Sequence, residues 1–210
     1  KPIFLEQNRV WRTYTGGKLL DKFKGNPHPL DASNPEEWIA SDTKARNFGR
    51  EYLSDEGLSQ VKVVNGVKVS LKKLIEEYPL KMLGKKHLKK YGKKLAILSK
   101  LLDSNIRLTI QCHPTVNFAQ KYFNSSFGKT EAWVVLNTRK IAGEQPYILL
   151  GFKENITQSK FKEMFLNQDI EAMINSLHKI IPQKGDVYLI SGGLPHAIGK
   201  GCFIMEIQEP

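Results

Sequence analysis

The second half of the chain is built from short strand-like runs joined by turns. Runs of β-branched and aromatic residues recur at 131–136, 147–152, 186–190, 195–198 and 202–207. Gly192-Gly193 and the Gly-Lys-Gly sequence at 199–201 separate the last three of them. Short strands with such turns are typical of a barrel or jelly roll. We therefore expect a mainly β fold, a jelly-roll β-barrel with a few short helices packed outside it.

Local patterns add a hairpin and several helices to this expectation. Asn65-Gly66 lies between two valine-rich runs and predicts a β-hairpin. Apolar spacing predicts one short helix from Ser70 to about Pro79 and another over 116–123. A third helical pattern runs from a capping Thr157 to Leu177, with a break at 167–169, and its apolar residues are expected to pack against a sheet. Residues 106–113 alternate in character and predict a strand.

Length and turn content suggest how the chain is organised. A chain of 210 residues can form one core, so we expect a single domain over 1–210. The first sixty residues are irregular and are expected to wrap around a barrel with helices formed by 61–210. The sequence begins at Lys1 rather than Met and stops at Pro210 directly after a strand-like run, which is consistent with part of a longer chain.

Composition narrows the class of protein. No apolar run approaches the roughly 18 residues that cross a bilayer, and the opening residues lack the uninterrupted apolar segment of a secretion signal, so we expect no membrane partner. Two cysteines, Cys112 and Cys202, exclude a disulfide framework and a four-cysteine zinc site. These features favour a reducing, cytoplasmic location.

The charge is strongly positive. Net charge is +11, and much of it lies in the lysine-rich stretch 81–94. Such a surplus attracts anions, so the stretch can be a solvated basic face, a nucleic-acid surface or a region that steers an anionic substrate. A solvated face is favoured because few aromatic residues are present there to stack on bases. We expect no nucleic-acid partner.

Polar side chains that can bind metals occur within the apolar β-region. In a strand over 106–113, Gln111 and His113 share one face with Thr109 and Arg107, while Cys112 points the other way and is expected to pack. Lys129 and Glu131 share a face by the same parity, and His196 begins a later strand from which it can reach the same interior. Unpartnered polar groups are costly to bury, so these residues require an explanation.

Two imidazoles, a carboxylate and an amide oxygen form a plausible ligand set for a divalent ion. The residue types alone do not distinguish zinc, manganese, cobalt and iron. Non-haem iron oxygenases also bind their metal with two histidines and one carboxylate. The competing interpretation is that each histidine is a hydrogen-bonded structural residue.

Five short segments place these residues in an ordered set of motifs. They are RVW with GG at 9–17, EEWIAS at 36–41, LSKLLD and LTIQCHP at 98–114, GKTEAW at 128–133, and GD, SGG and PHA at 185–197. In order and spacing, from about residue 3 to 209, they resemble the motifs of the type I mannose-6-phosphate isomerases, a zinc-dependent cupin family. The resemblance implies a cupin-type barrel that interconverts mannose 6-phosphate and fructose 6-phosphate by an enediol-type proton transfer.

The resemblance also implies residue roles. One Zn²⁺ per chain, or another divalent metal, would be bound by Gln111, His113, Glu131 and His196. Lys129 and Glu206 would be catalytic, and the substrate, a phosphorylated hexose, would contact Lys100, Thr109, Trp11 and Glu36. Lys100 and Thr109 match positions near the phosphate. The alternatives are an ordinary ion pair for Lys129, a solvated end of the basic stretch for Lys100, and structural support for Trp11, Glu36 and Glu206.

The family pattern includes an arginine beyond the carboxylate at Glu206, and the sequence stops at Pro210 before that position. The alternative to an isomerase is therefore that the protein is a non-catalytic cupin that binds a metal or a sugar phosphate. A barrel lacking its closing strand would also leave 203–207 as an unpaired edge. Nucleic-acid binding driven by charge is a weaker third hypothesis, because the lysines lack a recognition motif. The sequence does not determine the oligomeric state.

Overall fold

The computed structural model describes residues 2–62 and 67–210. The helices within these residues are α1 (Lys18–Phe23), α2 (Leu71–Glu77), α3 (Pro79–Tyr91), α4 (Val116–Phe123), α5 (Gln158–Leu166) and α6 (Ile170–Asn175). The strands are β1 (Arg9–Val10), β2 (Glu36–Ile39), β3 (Gln60–Val61), β4 (Val69–Ser70), β5 (Leu98–Asp103), β6 (Gln111–Cys112), β7 (Glu131–Thr138), β8 (Ile148–Phe152), β9 (Leu177–Ile180), β10 (Val187–Ile190), β11 (Pro195–Ile198) and β12 (Cys202–Gln208). None of these helices has the length and apolar character needed to cross a membrane.

Two antiparallel sheets pack face to face. The larger has the strand order β1-β2-β5-β12-β7-β10, and the smaller has the order β6-β11-β8-β9. Their facing side chains form one buried apolar cluster, composed of Leu102, Trp133, Val135, Ile148, Ile190, Ile198, Cys202 and Ile204. This arrangement confirms the mainly β, jelly-roll fold predicted from the sequence.

Short helices cover the outer faces of the sheets, as predicted. Leu20 of α1 is fully buried against Leu101 and Phe203 of the larger sheet. The buried carboxylate of Asp103 accepts hydrogen bonds from the backbone N–H groups of Gly17 (3.0 Å) and Leu19 (2.6 Å), which fixes the start of α1. On the smaller sheet, the last turn of α6 packs on an apolar cluster of β8, β9 and β11.

The barrel interior changes from apolar to polar along each strand. On β12, Cys202 and Ile204 belong to the apolar cluster, whereas the next inward residue, Glu206, is a buried carboxylate. On β7, Val135 and Trp133 are apolar and Glu131, at the start of the strand, is charged and buried. The alternation of strands therefore brings charged side chains together at one end of the interior.

The local predictions agree with the structure at most positions. Ser70 caps α2 and Thr157 caps α5, each accepting a backbone N–H bond with its hydroxyl. The helix predicted over 116–123 is α4. β3 and β4 pair antiparallel as the hairpin prediction requires, although residues 63–66, which include the Asn-Gly turn, lie outside the described residues. The lysine-rich stretch forms α3, whose lysines are exposed.

Four expectations are wrong. Residues 106–113 form only the two-residue strand β6, and the earlier part of the segment contacts β11 through a single backbone hydrogen bond, from Leu108 to Ile198. The helical pattern ends before Leu177, which begins β9. The first sixty residues were expected to form an irregular segment around the barrel, but β1 and β2 extend the larger sheet next to β5. Finally, β12 is not an edge strand, because it lies between β5 and β7.

Candidate active site

A cavity of about 450 Å³ opens at the polar end of the barrel. Both sheets and the N-terminal segment contribute to its walls. Of the ten residues that the sequence proposes for the site, eight line this cavity: Glu36, Lys100, Thr109, Gln111, Lys129, Glu131, His196 and Glu206. His113 is not among the lining residues, but it contacts Glu131. Trp11 is not among the lining residues either.

His113, Glu131 and His196 form the candidate metal centre. Nε2 of His113 lies 3.1 Å from Oε1 of Glu131, and Nε2 of His196 lies 3.9 Å from its Oε2. The two imidazole centroids are 4.8 Å apart, and one potential ligand atom from each residue lies within 4.8 Å of the others. Glu131 belongs to the larger sheet and His196 to the smaller, so the site bridges the two sheets.

The orientation of His196 suits a metal ligand. Its Nδ1 lies 2.8 Å from the backbone carbonyl oxygen of Leu194, which favours the tautomer that donates from Nδ1 and leaves the Nε2 lone pair free. Burial lowers the pKa of His196, even though that hydrogen bond and the nearby Glu131 oppose the change. A lowered pKa keeps the imidazole neutral, which is the form that binds metals.

Glu131 is held in its charged form. Burial alone would raise its pKa, but the hydrogen bond with His113 and the charge of Lys129 help to bring the pKa well below the usual range. Lys129 Nζ lies 3.2 Å from Glu131 Oε1. The indole N–H of Trp133 donates to Glu131 Oε2 at 3.1 Å. An ionised carboxylate held in this way can coordinate a divalent cation.

The structure places Gln111 beside this group. Gln111 and His196 are directly opposed partners on β6 and β11, so their side chains lie on the same face of the sheet. Cys112, the next residue, points away as predicted, but it is exposed rather than packed. The donor atoms near the cavity are therefore nitrogen and oxygen, a set that suits zinc and other divalent metals.

Two glycines allow the chain after His113 to lie close to the neighbouring loops. A Cβ atom on Gly128 would lie 2.7 Å from the carbonyl oxygen of Pro114, and a Cβ atom on Gly192 would lie at the same distance from that oxygen. The backbone N–H of Gly193 donates to the carbonyl oxygen of His113 at 2.7 Å. Lack of a side chain at Gly128 and Gly192 therefore helps to fix the position of His113.

A buried charge network forms the opposite wall. Lys100 Nζ lies 2.5 Å from Glu206 Oε2 and 4.0 Å from Glu36 Oε2. Glu36 also contacts Arg12 Nε at 3.0 Å and accepts a hydrogen bond from the hydroxyl of Tyr14 at 2.6 Å. Burial raises the pKa of Glu206 and the nearby Glu131 adds to this effect, whereas Lys100 opposes it. Each of the buried carboxylates thus has a cationic neighbour.

Trp11 does not reach the cavity. Its ring stacks under the guanidinium of Arg50, 5.0 Å from ring centroid to Cζ, and its carbonyl oxygen accepts a hydrogen bond from the side chain of Asn47. Trp11 thereby supports a segment that does line the cavity.

The sequence did not propose four cationic or phenolic side chains that line the cavity: Arg12, Tyr14, Arg46 and Arg107. Arg12 and Tyr14 follow β1 outside any strand, so strand alternation gives no signal for them. Alternation placed Arg107 on the face of Gln111 without indicating a role for it. Arg46 follows no strand or helix pattern, so its position depends on tertiary contacts alone.

Comparison with known proteins identifies the family. Residues 7–132, more than half of the chain, match the family model for the phosphomannose isomerase type I catalytic domain. The mannose-6-phosphate isomerase of Streptococcus mutans is 30% identical over 213 aligned residues, which cover all of this chain and 58% of that protein.

Solved structures agree with this assignment. The mannose 6-phosphate isomerase of Bacillus subtilis superposes with a TM-score of 0.73 at 26% identity, covering 99% of this chain and 58% of that one. A mannose 6-phosphate isomerase bound with zinc and yttrium shares the fold, with a TM-score of 0.67 at 16% identity over 99% of this chain and 67% of that one. The chain thus spans 58% of the length of the Streptococcus mutans and Bacillus subtilis proteins. Its fold is the cupin fold that the sequence motifs imply, and the chain belongs to the type I phosphomannose isomerase family.

Proposed function

We propose that this chain forms a zinc-dependent site that interconverts mannose 6-phosphate and fructose 6-phosphate. The observation that carries the proposal is the convergence of His113, Glu131 and His196, from two different sheets, at the edge of one charged cavity. Membership of the phosphomannose isomerase family supports the identity of the substrate. We further propose that residues 1–210 form one domain, because β1 and β2 join the same sheet as β5 and β12.

The residues present fit a metal ion. Two imidazoles and a carboxylate offer ligand atoms within 4.8 Å of one another, and the amide of Gln111 lies on the same face as His196. We propose that these four residues bind one zinc ion. When bound, zinc supplies a Lewis acid that polarises the carbonyl and hydroxyl oxygens of the sugar.

The remaining chemistry is assigned to side chains of the chain itself. Isomerisation moves a proton between C1 and C2 while negative charge develops on the attached oxygens. Lys129 lines the cavity beside Glu131, so its ammonium group can stabilise that charge. Glu206 lies in the cavity wall with a raised pKa, which suits a carboxyl group that accepts and returns a proton near neutral pH. Lys100 holds Glu206 in place.

A coupled assay tests the proposal. Zinc-loaded chain is supplied with mannose 6-phosphate, and the appearance of fructose 6-phosphate is followed with and without a chelator. We expect turnover that the chelator abolishes, that His196→Ala removes, and that His178→Ala, a change at an exposed histidine on β9, leaves intact. Turnover that survives chelation or His196→Ala, or no turnover by the zinc-loaded chain, contradicts the proposal.

A further inference from the structure

The cavity carries more positive than negative charge. Five of its lining side chains are cationic and three are carboxylates. The balance matters because the proposed substrate carries a phosphate dianion, and a cavity that binds a dianion needs cations that are not already neutralised.

Three of the cations are matched one to one with the carboxylates. Arg12 Nε lies 3.0 Å from Glu36, Lys100 Nζ lies 2.5 Å from Glu206, and Lys129 Nζ lies 3.2 Å from Glu131. The side chain of Lys100 is only 8% exposed. If Lys100 turned toward a phosphate, it would leave the buried carboxylate of Glu206 without its cationic partner, which is strongly unfavourable.

Arg46 and Arg107 are the two cations that remain. Over residues 2–62 and 67–210, neither guanidinium lies within 4.0 Å of a carboxylate. Arg107 is half-buried and donates from Nη1 to the carbonyl oxygen of Leu108 at 2.6 Å, while Arg46 is exposed. Both line the same cavity, so it holds two positive charges that the described part of the chain does not balance.

One backbone neighbour of each arginine is held by a hydrogen bond. The N–H of Ala45 donates to the carbonyl oxygen of Glu56 at 2.8 Å, and the N–H of Leu108 donates to the carbonyl oxygen of Ile198 at 2.9 Å. Thr109, two residues after Arg107, places a hydroxyl group on the same cavity wall. Each arginine thus extends from a backbone position next to a hydrogen-bonded residue, which limits the backbone entropy lost when an anion binds.

We propose that Arg46 and Arg107, and not Lys100, bind the phosphate group of the substrate and determine the preference for a phosphorylated sugar. The proposal rests on the proposed function for the identity of the sugar, but its anion-binding part stands separately. Guanidinium groups can donate two parallel hydrogen bonds to phosphate oxygens, which suits this role.

The test measures binding of two probes, mannose 6-phosphate and inorganic phosphate, to the zinc-loaded chain at constant ionic strength. Arg46→Gln and Arg107→Gln are each expected to raise the Kd for both probes about tenfold or more, since each removes a charge-assisted contact. The matched control is Lys85→Gln with Lys89→Gln, which removes two charges from exposed positions on α3 outside the cavity. We expect this control to bind both probes like the parent.

Several outcomes overturn the inference. They are an unchanged Kd in both arginine variants, an equal loss in the lysine control, and absence of saturable binding by the parent chain. The same samples are assayed for turnover. Loss of binding in the arginine variants together with an inactive parent supports the anion site and rejects the isomerase. An active parent whose arginine variants bind normally supports the isomerase and rejects the anion site.

Discussion

Lys100 and Glu206 face each other on the adjacent strands β5 and β12, with Nζ 2.5 Å from Oε2 inside the barrel. Glu36, from β2, approaches the same ammonium group at 4.0 Å. One buried lysine therefore lies between carboxylates from two strands that are far apart in the sequence. We therefore expect Lys100 to stabilise the cavity wall.

Replacing this lysine tests that role. Lys100→Met is expected to lower the free energy of unfolding by about 3–5 kcal/mol, because it leaves the buried carboxylate of Glu206 without its cationic partner. Chemical denaturation measures the loss. Lys86→Met, at an exposed position on α3, is the matched control and should change stability little. A loss below about 1 kcal/mol in Lys100→Met would show that the network is solvated.

Glu36 gives the fold a defined acid sensitivity. Burial alone would raise its pKa, but Lys100 and Arg12, with hydrogen bonds from Trp38 and Tyr14, outweigh burial and lower the pKa to about 2. Because the folded-state pKa lies below the unfolded value, ionised Glu36 stabilises the fold above about pH 4.5, and this contribution disappears as the pH falls through about 2.

Comparison with a neutral variant isolates this contribution. Glu36→Gln should be less stable than the parent at neutral pH by about 3 kcal/mol, and the difference should shrink between about pH 4.5 and 2. Unfolding of both metal-free proteins is measured across that range. A difference that is constant with pH, or that grows in acid, would contradict the assignment.

Gly192 should matter for metal binding although its backbone lies outside the proposed ligand set. In Gly192→Ala the new Cβ would lie 2.7 Å from the carbonyl oxygen of Pro114 and displace the segment that follows His113. We expect stability to fall by about 1–3 kcal/mol and zinc affinity to fall by about tenfold or more. Competition with a coloured chelator measures the affinity.

A second glycine provides the control for this change. Gly143 has φ of 81°, and a Cβ atom there would meet no other described atom within 4 Å, so Gly143→Ala costs backbone strain without a clash. It should keep the zinc affinity of the parent. Equal zinc affinity in the two variants would show that the close approach of Gly192 does not position His113.

A substitution of Lys129 tests catalysis separately from metal binding. Because its ammonium group lies beside Glu131 and lines the cavity, Lys129→Met should retain zinc but lose turnover by about tenfold or more. Zinc content and the coupled assay are measured on the same sample, with Lys72→Met, a change on α2 outside the cavity, as the control. A normal rate in Lys129→Met would make the Lys129–Glu131 contact an ordinary ion pair.

The spacing of strands and turns predicted the mainly β fold, and the motifs supplied the candidate site residues. Strand parity placed Gln111 and His113 on one face, and the resemblance to the family motifs assigned them, with Glu131 and His196, to one ligand set. The strand predicted over 106–113 failed because alternation of residue types says nothing about whether a partner strand is available. Only Gln111 and Cys112 of that segment pair with β11 as a strand, and Leu108 adds one backbone hydrogen bond to Ile198.

The ion pairs of the cavity could not be predicted from the sequence. Lys100 and Glu206 lie on strands that become neighbours only in the folded sheet, so their ion pair depends on sheet order. The positions of Trp11 and Arg46 likewise depend on the loop around Asn47, which follows no periodic pattern. Tertiary contacts decide such positions, and one sequence contains no direct signal for them.

X-ray absorption at the zinc edge of the loaded chain tests the central claim most directly, namely that the two sheets converge on one metal. The account predicts coordination by nitrogen and oxygen only, with scattering from two imidazoles, as His113, His196, Glu131 and Gln111 require. A sulfur ligand at about 2.3 Å, which only a cysteine such as Cys112 would provide, or the signature of a single imidazole would contradict it.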